Sequence, residues 1–149
     1  MPPRFKNNRF IILSLIKYSK LALLINNKLI MKLSKFQRQA LKEKYQGRCA
    51  YCGELLGDRW HADHIEPIVR NWWNGTCEHP ERNTLENFNP SCPSCNIVKS
   101  SMALDSFRKI IGGFITSLNR DSTQYKFAKR YGLLEEKEIE VKFWFERCG

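Results

Sequence analysis

Acidic residues are almost missing from the first third of this 149-residue chain. Residues 1–48 hold 12 Lys/Arg against one carboxylate, Glu43, a net of +11; residues 49–149 hold 13 Lys/Arg against 14 Asp/Glu, a net of −1. The excess charge of +10 therefore belongs to the N-terminal third. Such an asymmetry points to a polyanionic partner, nucleic acid or an anionic membrane surface, or else to a solubilising tail. Long apolar runs are also lacking. The best, Phe10–Ile16, spans seven residues, and Lys17 and Lys20 interrupt it before Leu21–Ile25 resumes. That is too short and too charged to cross a bilayer or to read as a secretory signal, so no membrane span is expected and the expected setting is a reducing cytoplasm; a basic amphipathic helix in residues 1–30 that touches DNA or a membrane surface is the further alternative. Internal repeats are absent. A hydrophobic fraction of 42% excludes a wholly disordered chain. Residues 1–30 read as a basic N-terminal extension in which Met31 is an alternative start, and residues 31–149 read as a single domain.

Cysteine is better supplied. Four of the six fall in two C-x-x-C pairs, Cys49/Cys52 and Cys92/Cys95. In a reducing compartment paired spacing of this kind reads as zinc rather than as disulfides. Each pair places two thiolates on one turn, and two pairs complete a tetrahedral Zn²⁺ site with no open position, hence a structural one. Gly53 permits the tight turn of the first pair. Cys77 and Cys148 have no such partner; Cys77 reads as a loop thiol, with Cys77-x-His79 a second conceivable metal pair.

Histidine is scarce, and its three copies all lie between residues 61 and 79. Two of them flank a carboxylate in His61-Ala62-Asp63-His64-Ile65-Glu66-Pro67. A hard cation such as Mg²⁺ or Mn²⁺ takes carboxylate and amide oxygens, and Asp63 supplies one. A neutral imidazole beside it can take a proton from water near neutral pH. Together these are the parts for metal-assisted hydrolysis; the alternative is an ordinary surface or capping pair.

Local patterns place these groups. Ser34 and Gln37 fit a capping box for a helix at 34–46, with Phe36, Ala40 and Leu41 on one face and Gly47 as a stop. Lys35, Arg38, Lys42 and Lys44 decorate it, either as a solvated face or along phosphates. Residues 59–65 read as a short strand and Asn87–Ser91 as extended, because Pro90 and Pro93 disfavour helix before them. A helix from about Ser94 carries Asn96 and Lys99. Leu104–Ile111 and Thr123–Tyr131 suit helices, the second stopped by Gly132. The alternation of Ile139, Val141, Phe143 and Phe145 with polar residues predicts a C-terminal strand. Residues 70–86 read as a loop; its Trp72-Trp73 pair is either a base-stacking element or an aromatic lid packed on the core.

The ordered set Cys49-x-x-Cys52, His61-x-Asp63-His64-Ile65-x-Pro67 and Asn87-x-x-x-x-Cys92-x-x-Cys95-Asn96-x-x-Lys99 resembles the HNH endonucleases of the ββα-metal type. The likeness covers about residues 47–108, and Leu104–Arg108 is similar to the segment that follows the motif in several phage-type members. The resemblance implies an α+β fold, a ββα-metal core held by the four-cysteine zinc, with flanking helices and the C-terminal strand. It implies hydrolysis of DNA phosphodiester bonds, with double-stranded DNA as partner, a catalytic Mg²⁺ or Mn²⁺ and no small-molecule cofactor. A homing-type enzyme of phage or mobile-element origin, working in a bacterial cytoplasm, is the sub-class it suggests. Residue by residue, it makes His64 the general base, Asp63 and Asn96 ligands of the divalent ion, and Asn87 the residue that fixes the loop and helps orient the histidine. Lys99 would meet a phosphate. Lys35, Arg38, Lys42 and His61 are further candidates for DNA contact, His61 being on the same strand face as Asp63. Two departures stand out: the loop 70–86 is longer than the pattern suggests, and Phe88 replaces the usual leucine. The rival reading is a non-enzymatic zinc-containing module that binds nucleic acid, which needs the cysteines and the basic arm but not Asp63, His64, Asn87 and Asn96 together.

Overall fold

The computed structural model describes residues 32–148, so the expectations for the extension 1–30 and for Met31 lie outside the described residues. Helix α1 (Lys35–Glu43) begins with the expected capping box: the Ser34 hydroxyl accepts from the Gln37 N–H at 3.2 Å, and the Gln37 side chain accepts from the Ser34 N–H at 2.9 Å. It ends at Glu43 rather than at 46, because Gln46 and Gly47 turn the chain in the left-handed region, at φ 56° and 71°. Of its expected apolar face only Leu41 is buried; Phe36 is 83% exposed.

The chain then enters the first cysteine turn, closed by Cys49 N–H to Glu54 O at 2.8 Å. Gly53 is required there twice over: its φ is +79°, and a Cβ at this position would come within 2.7 Å of the Trp144 ring. Strand β1 (His61–His64) follows. A long excursion separates it from its partner and contains a small hairpin of β2 (Arg70–Asn71) and β3 (Thr76–Cys77), then a 3₁₀ turn at Pro80–Arg82. Strand β4 (Phe88–Ser91) returns antiparallel to β1, pairing Asp63 with Asn89 and His64 with Phe88. Helix α2 (Pro93–Lys99) starts at once, with Cys92 as its N-cap, and packs against β1. Strands β1 and β4 with α2 make the ββα unit within an α+β fold.

Helices α3 (Leu104–Gly112), α4 (Phe114–Asp121) and α5 (Thr123–Arg130) follow. Gly132 ends α5 at φ 70°. The expected strand over 139–146 does not form. The segment is irregular and ends in a 3₁₀ turn at Trp144–Glu146, and its backbone bonds the cysteine turn instead, Trp144 N–H to Tyr51 O at 3.0 Å and Phe145 N–H to Ala50 O at 2.9 Å. The inward side of its alternation is nonetheless real. Phe143 is buried, stacks on Phe107 at 5.2 Å and meets the Tyr51 ring edge-on at 5.4 Å, whereas Ile139 is exposed. The core is thus built around Cys49, Tyr51, Cys92, Phe107 and Phe143, directly on the cysteine cluster.

Candidate active site and metal centre

The four expected zinc ligands converge. The sulfurs of Cys49, Cys52, Cys92 and Cys95 all lie within 4.8 Å of one another, and Cys52 Sγ stands 3.8 Å from Cys92 Sγ. A tetrahedron with Zn–S bonds of about 2.3 Å has edges of about 3.8 Å, so the spacing suits Zn²⁺. The charge balance suits it too. A hydrogen bond from Cys95 brings the Cys49 thiol down to about 4. Burial pushes Cys52 up to about 12, and the same Cys95–Cys49 bond holds Cys95 well above its ordinary value. Cys49 is accommodated as a thiolate while Cys52 and Cys95 resist ionising, a conflict that a dication relieves. Cys77 and His79 belong to no cluster of three or more such ligands among the described residues; His79 Nδ1 faces Glu81 at 3.2 Å instead.

Asp63, His64 and Asn96 line one cleft of about 310 Å³, with His61, Arg70 and Trp72 on its walls. Strand β1 delivers the first two and the opening turns of α2 deliver Asn96. His64 is buried, its ring 4.3 Å from that of Phe88. Its Nε2 lies 3.0 Å from Asn83 Oδ1. A carbonyl-type oxygen can only accept, so Nε2 carries the hydrogen and the Nδ1 lone pair is the basic one. Burial is the main cause that lowers the His64 pKa from its ordinary value; the positive charges of Arg70 and Lys99 add to it, while Asn83 and Asp63 oppose it. The imidazole is therefore neutral near pH 7.

Asp63 is held hard. Its Oδ2 accepts from the Tyr51 hydroxyl at 2.5 Å and from Lys99 Nζ at 3.0 Å. Burial, then the Asp63 charge, raises the Tyr51 pKa, so this phenol stays a donor. Lys99 corrects the expectation of a phosphate contact. Its side chain is 0% exposed, and its ammonium also donates to His64 O at 2.6 Å. The last turn of α2 runs beneath β1, so Lys99 points into the fold and ties both residues of the Asp63-His64 pair to the helix. Lys99→Met is expected to destabilise the fold by about 3–5 kcal/mol, because Asp63 is left buried without its counter-charge. Urea denaturation checks this, and adding Asp63→Asn to the same variant should recover part of the loss.

Asn87 closes the excursion. Its side chain accepts from Glu66 N–H at 2.9 Å and donates to Glu66 O and Arg82 O at 2.8 and 2.7 Å. It fixes the loop, but the side chain that touches the His64 ring nitrogen is Asn83, which carries no motif spacing. Of the expected DNA-contact residues, Lys35 and His61 are exposed. Lys42 Nζ bonds Gly57 O at 3.3 Å, and the Arg38 guanidinium lies over the Trp60 ring at 4.2 Å. Arg38 also lines a second hollow with Lys32, His64 and Arg70, so His64 stands between the two hollows with cations around it. Arg70 and Asn83 were not singled out by the sequence. Lys44, which was, is spent on Phe88 O and Asn89 Oδ1 at 3.2 and 3.0 Å.

Trp72 and Trp73 are 84% and 99% exposed, so they form no lid on the core. No helix among the described residues is long and apolar enough to cross a membrane.

Against known proteins, residues 49–101 match the family model described as HNH endonuclease. No curated protein and no solved structure matches the chain significantly.

Proposed function

Residues 49–101 are a domain of the HNH endonuclease family, and from that premise we propose that the chain hydrolyses DNA phosphodiester bonds with a divalent ion. The observation that carries this is the shared cleft: Asp63, His64 and Asn96 open into one space, and His64 presents a neutral imidazole there. Asp63 and Asn96 would hold Mg²⁺ or Mn²⁺, which offsets charge on the phosphate oxygens when bound. The donor set suits such an ion. Oδ2 of Asp63 is already engaged, so the carboxylate offers its other oxygen, and one carboxylate with one amide oxygen fits a cation that keeps several of its waters. Nδ1 of His64 takes the proton from the attacking water, while Asn83 holds the ring. Arg70 and Lys32 stand where the flanking phosphates would pass. Lys99 neutralises Asp63, so affinity for the ion depends on the phosphate arriving with it.

Double-stranded DNA is the proposed substrate, and the Cys49/Cys52/Cys92/Cys95 zinc the proposed structural metal. The homing-type, phage or mobile-element sub-class, in a bacterial cytoplasm, extends the proposal and rests on the resemblance of Leu104–Arg108. Supercoiled plasmid should be nicked or linearised in Mg²⁺ or Mn²⁺ and left intact with a chelator that strips these ions but not the zinc. Retained plasmid binding with no cut in either metal would favour the non-enzymatic module, which the buried Asp63–Lys99 pairing also suits.

A further inference from the structure

Two consecutive tryptophans stand in water at the tip of the β2–β3 hairpin, Trp73 almost wholly and Trp72 nearly so. Neither ring packs against another aromatic side chain or under a cation among the described residues. Rings of this size gain much by leaving water, and the fold forgoes that gain here. The exposure does not come from a loose loop. The turn is closed by Gly75 N–H to Asn71 O at 3.0 Å, with Gly75 at φ 70°. Asn71 Oδ1 accepts from Trp73 N–H at 3.1 Å, and Asn74 Oδ1 accepts from the Thr76 hydroxyl at 2.6 Å. At its root, Val69 sits at φ 48°, a conformation a β-branched residue rarely adopts, and Ile68 anchors the hairpin in the interior.

The tip is also placed with purpose. Trp72 walls the cleft that holds Asp63, His64 and Asn96, and Arg70 borders both this cleft and the hollow with Lys32 and Arg38. Among the described residues Asp63 is the only carboxylate on these walls, and Lys99 neutralises it. Aromatic faces beside a cationic track are the make-up of platforms that stack bases while holding the backbone. A base inside a duplex has no free face, so such rings can only take one that has left the stack.

We propose that Trp72 and Trp73 form a stacking site for a nucleobase unpaired from the duplex beside the scissile phosphate, giving a preference for DNA that is locally open at the cut. This rests on the nuclease reading above. Leaving the stack costs least where pairing is already broken, so mismatched sites should be favoured.

The test compares a duplex containing a two-base mismatch bubble with the fully paired duplex of the same sequence. The full-length wild type, Trp72→Ala/Trp73→Ala and Trp72→Phe/Trp73→Phe are assayed for cleavage in Mg²⁺ and, separately, for equilibrium binding in the His64→Ala background. Wild type should prefer the bubble, and the alanine pair should reduce that preference by roughly 5–150-fold per stacked base, with the phenylalanine pair retaining most of it. Equal handling of both duplexes by wild type, or an unchanged preference in the alanine pair, overturns the proposal while cleavage keeps the nuclease reading intact. A tryptophan-dependent bubble preference in binding, with no cleavage by wild type, supports the stacking site and removes the nuclease reading instead. Sedimentation showing a wild-type dimer that the alanine pair makes monomeric assigns the rings to a second copy and overturns it.

Discussion

Cys95→Ser is expected to lose zinc and to unfold. The four sulfurs already stand within 4.8 Å of one another, and the buried core rests directly on two of them, Cys49 and Cys92. Zinc at comparable four-ligand sites contributes about 10–16 kcal/mol, against about 5–15 kcal/mol for the whole stability of a typical domain. Losing one ligand therefore removes enough to tip the balance. Elemental analysis and far-ultraviolet circular dichroism on the purified variant check this together. A soluble, folded, zinc-free Cys95→Ser protein would sink the structural site. Because the ligands bridge the start of the fold and α2, the unfolding should be cooperative and should pass through no stable half-domain.

The second large effect is catalytic. His64→Ala is expected to keep its zinc and its fold but to lose cleavage by about 10²–10⁴-fold, the usual worth of a positioned general base. Plasmid nicking under single-turnover conditions measures it, with zinc content as the folding control. Full cleavage by that variant would remove His64 from the mechanism. The pH profile carries a sign. Burial lowers the His64 pKa, and a cation beside it pushes the same way, so the acid limb of the wild-type rate should fall below the ordinary imidazole value of about 6.5. Stability follows the same direction. The unfolded chain takes up this proton more readily than the folded one, so His64 favours folding above about pH 6.5, and that contribution is lost as pH falls through its depressed folded value.

Much of the site was legible because its chemistry is local. The two C-x-x-C turns and the Asp63-His64 pair each depend on residues a few positions apart, as does the Ser34–Gln37 capping box, whereas Asn87 closes its loop on Glu66, 21 residues back. Depth was not legible. The spacing of Lys99 from Asn96 correctly places both on α2, but only the packing of α2 under β1 decides that the ammonium meets Asp63 rather than solvent. The period of 139–146 was readable in Val141 and Phe143, whereas its lack of a partner strand was not: β1 and β4 pair with each other, and the segment reaches the cysteine turn through two backbone bonds. Helix α4 had no expectation at all; it follows Gly112-Gly113 directly, Gly113 keeping a right-handed backbone at φ −81°, ψ −8°. Asn83 had no signal at all, since its contact with His64 spans an irregular excursion.

The contact of Phe143 with Tyr51 has a consequence for how the protein is made. Tyr51 holds Asp63 through its hydroxyl, and its ring is steadied by Phe143 and Phe107. On the ribosome Tyr51 and Asp63 emerge long before Phe143. A chain broken off before residue 143 would carry the whole motif while Tyr51, and through it Asp63, lacks the Phe143 contact.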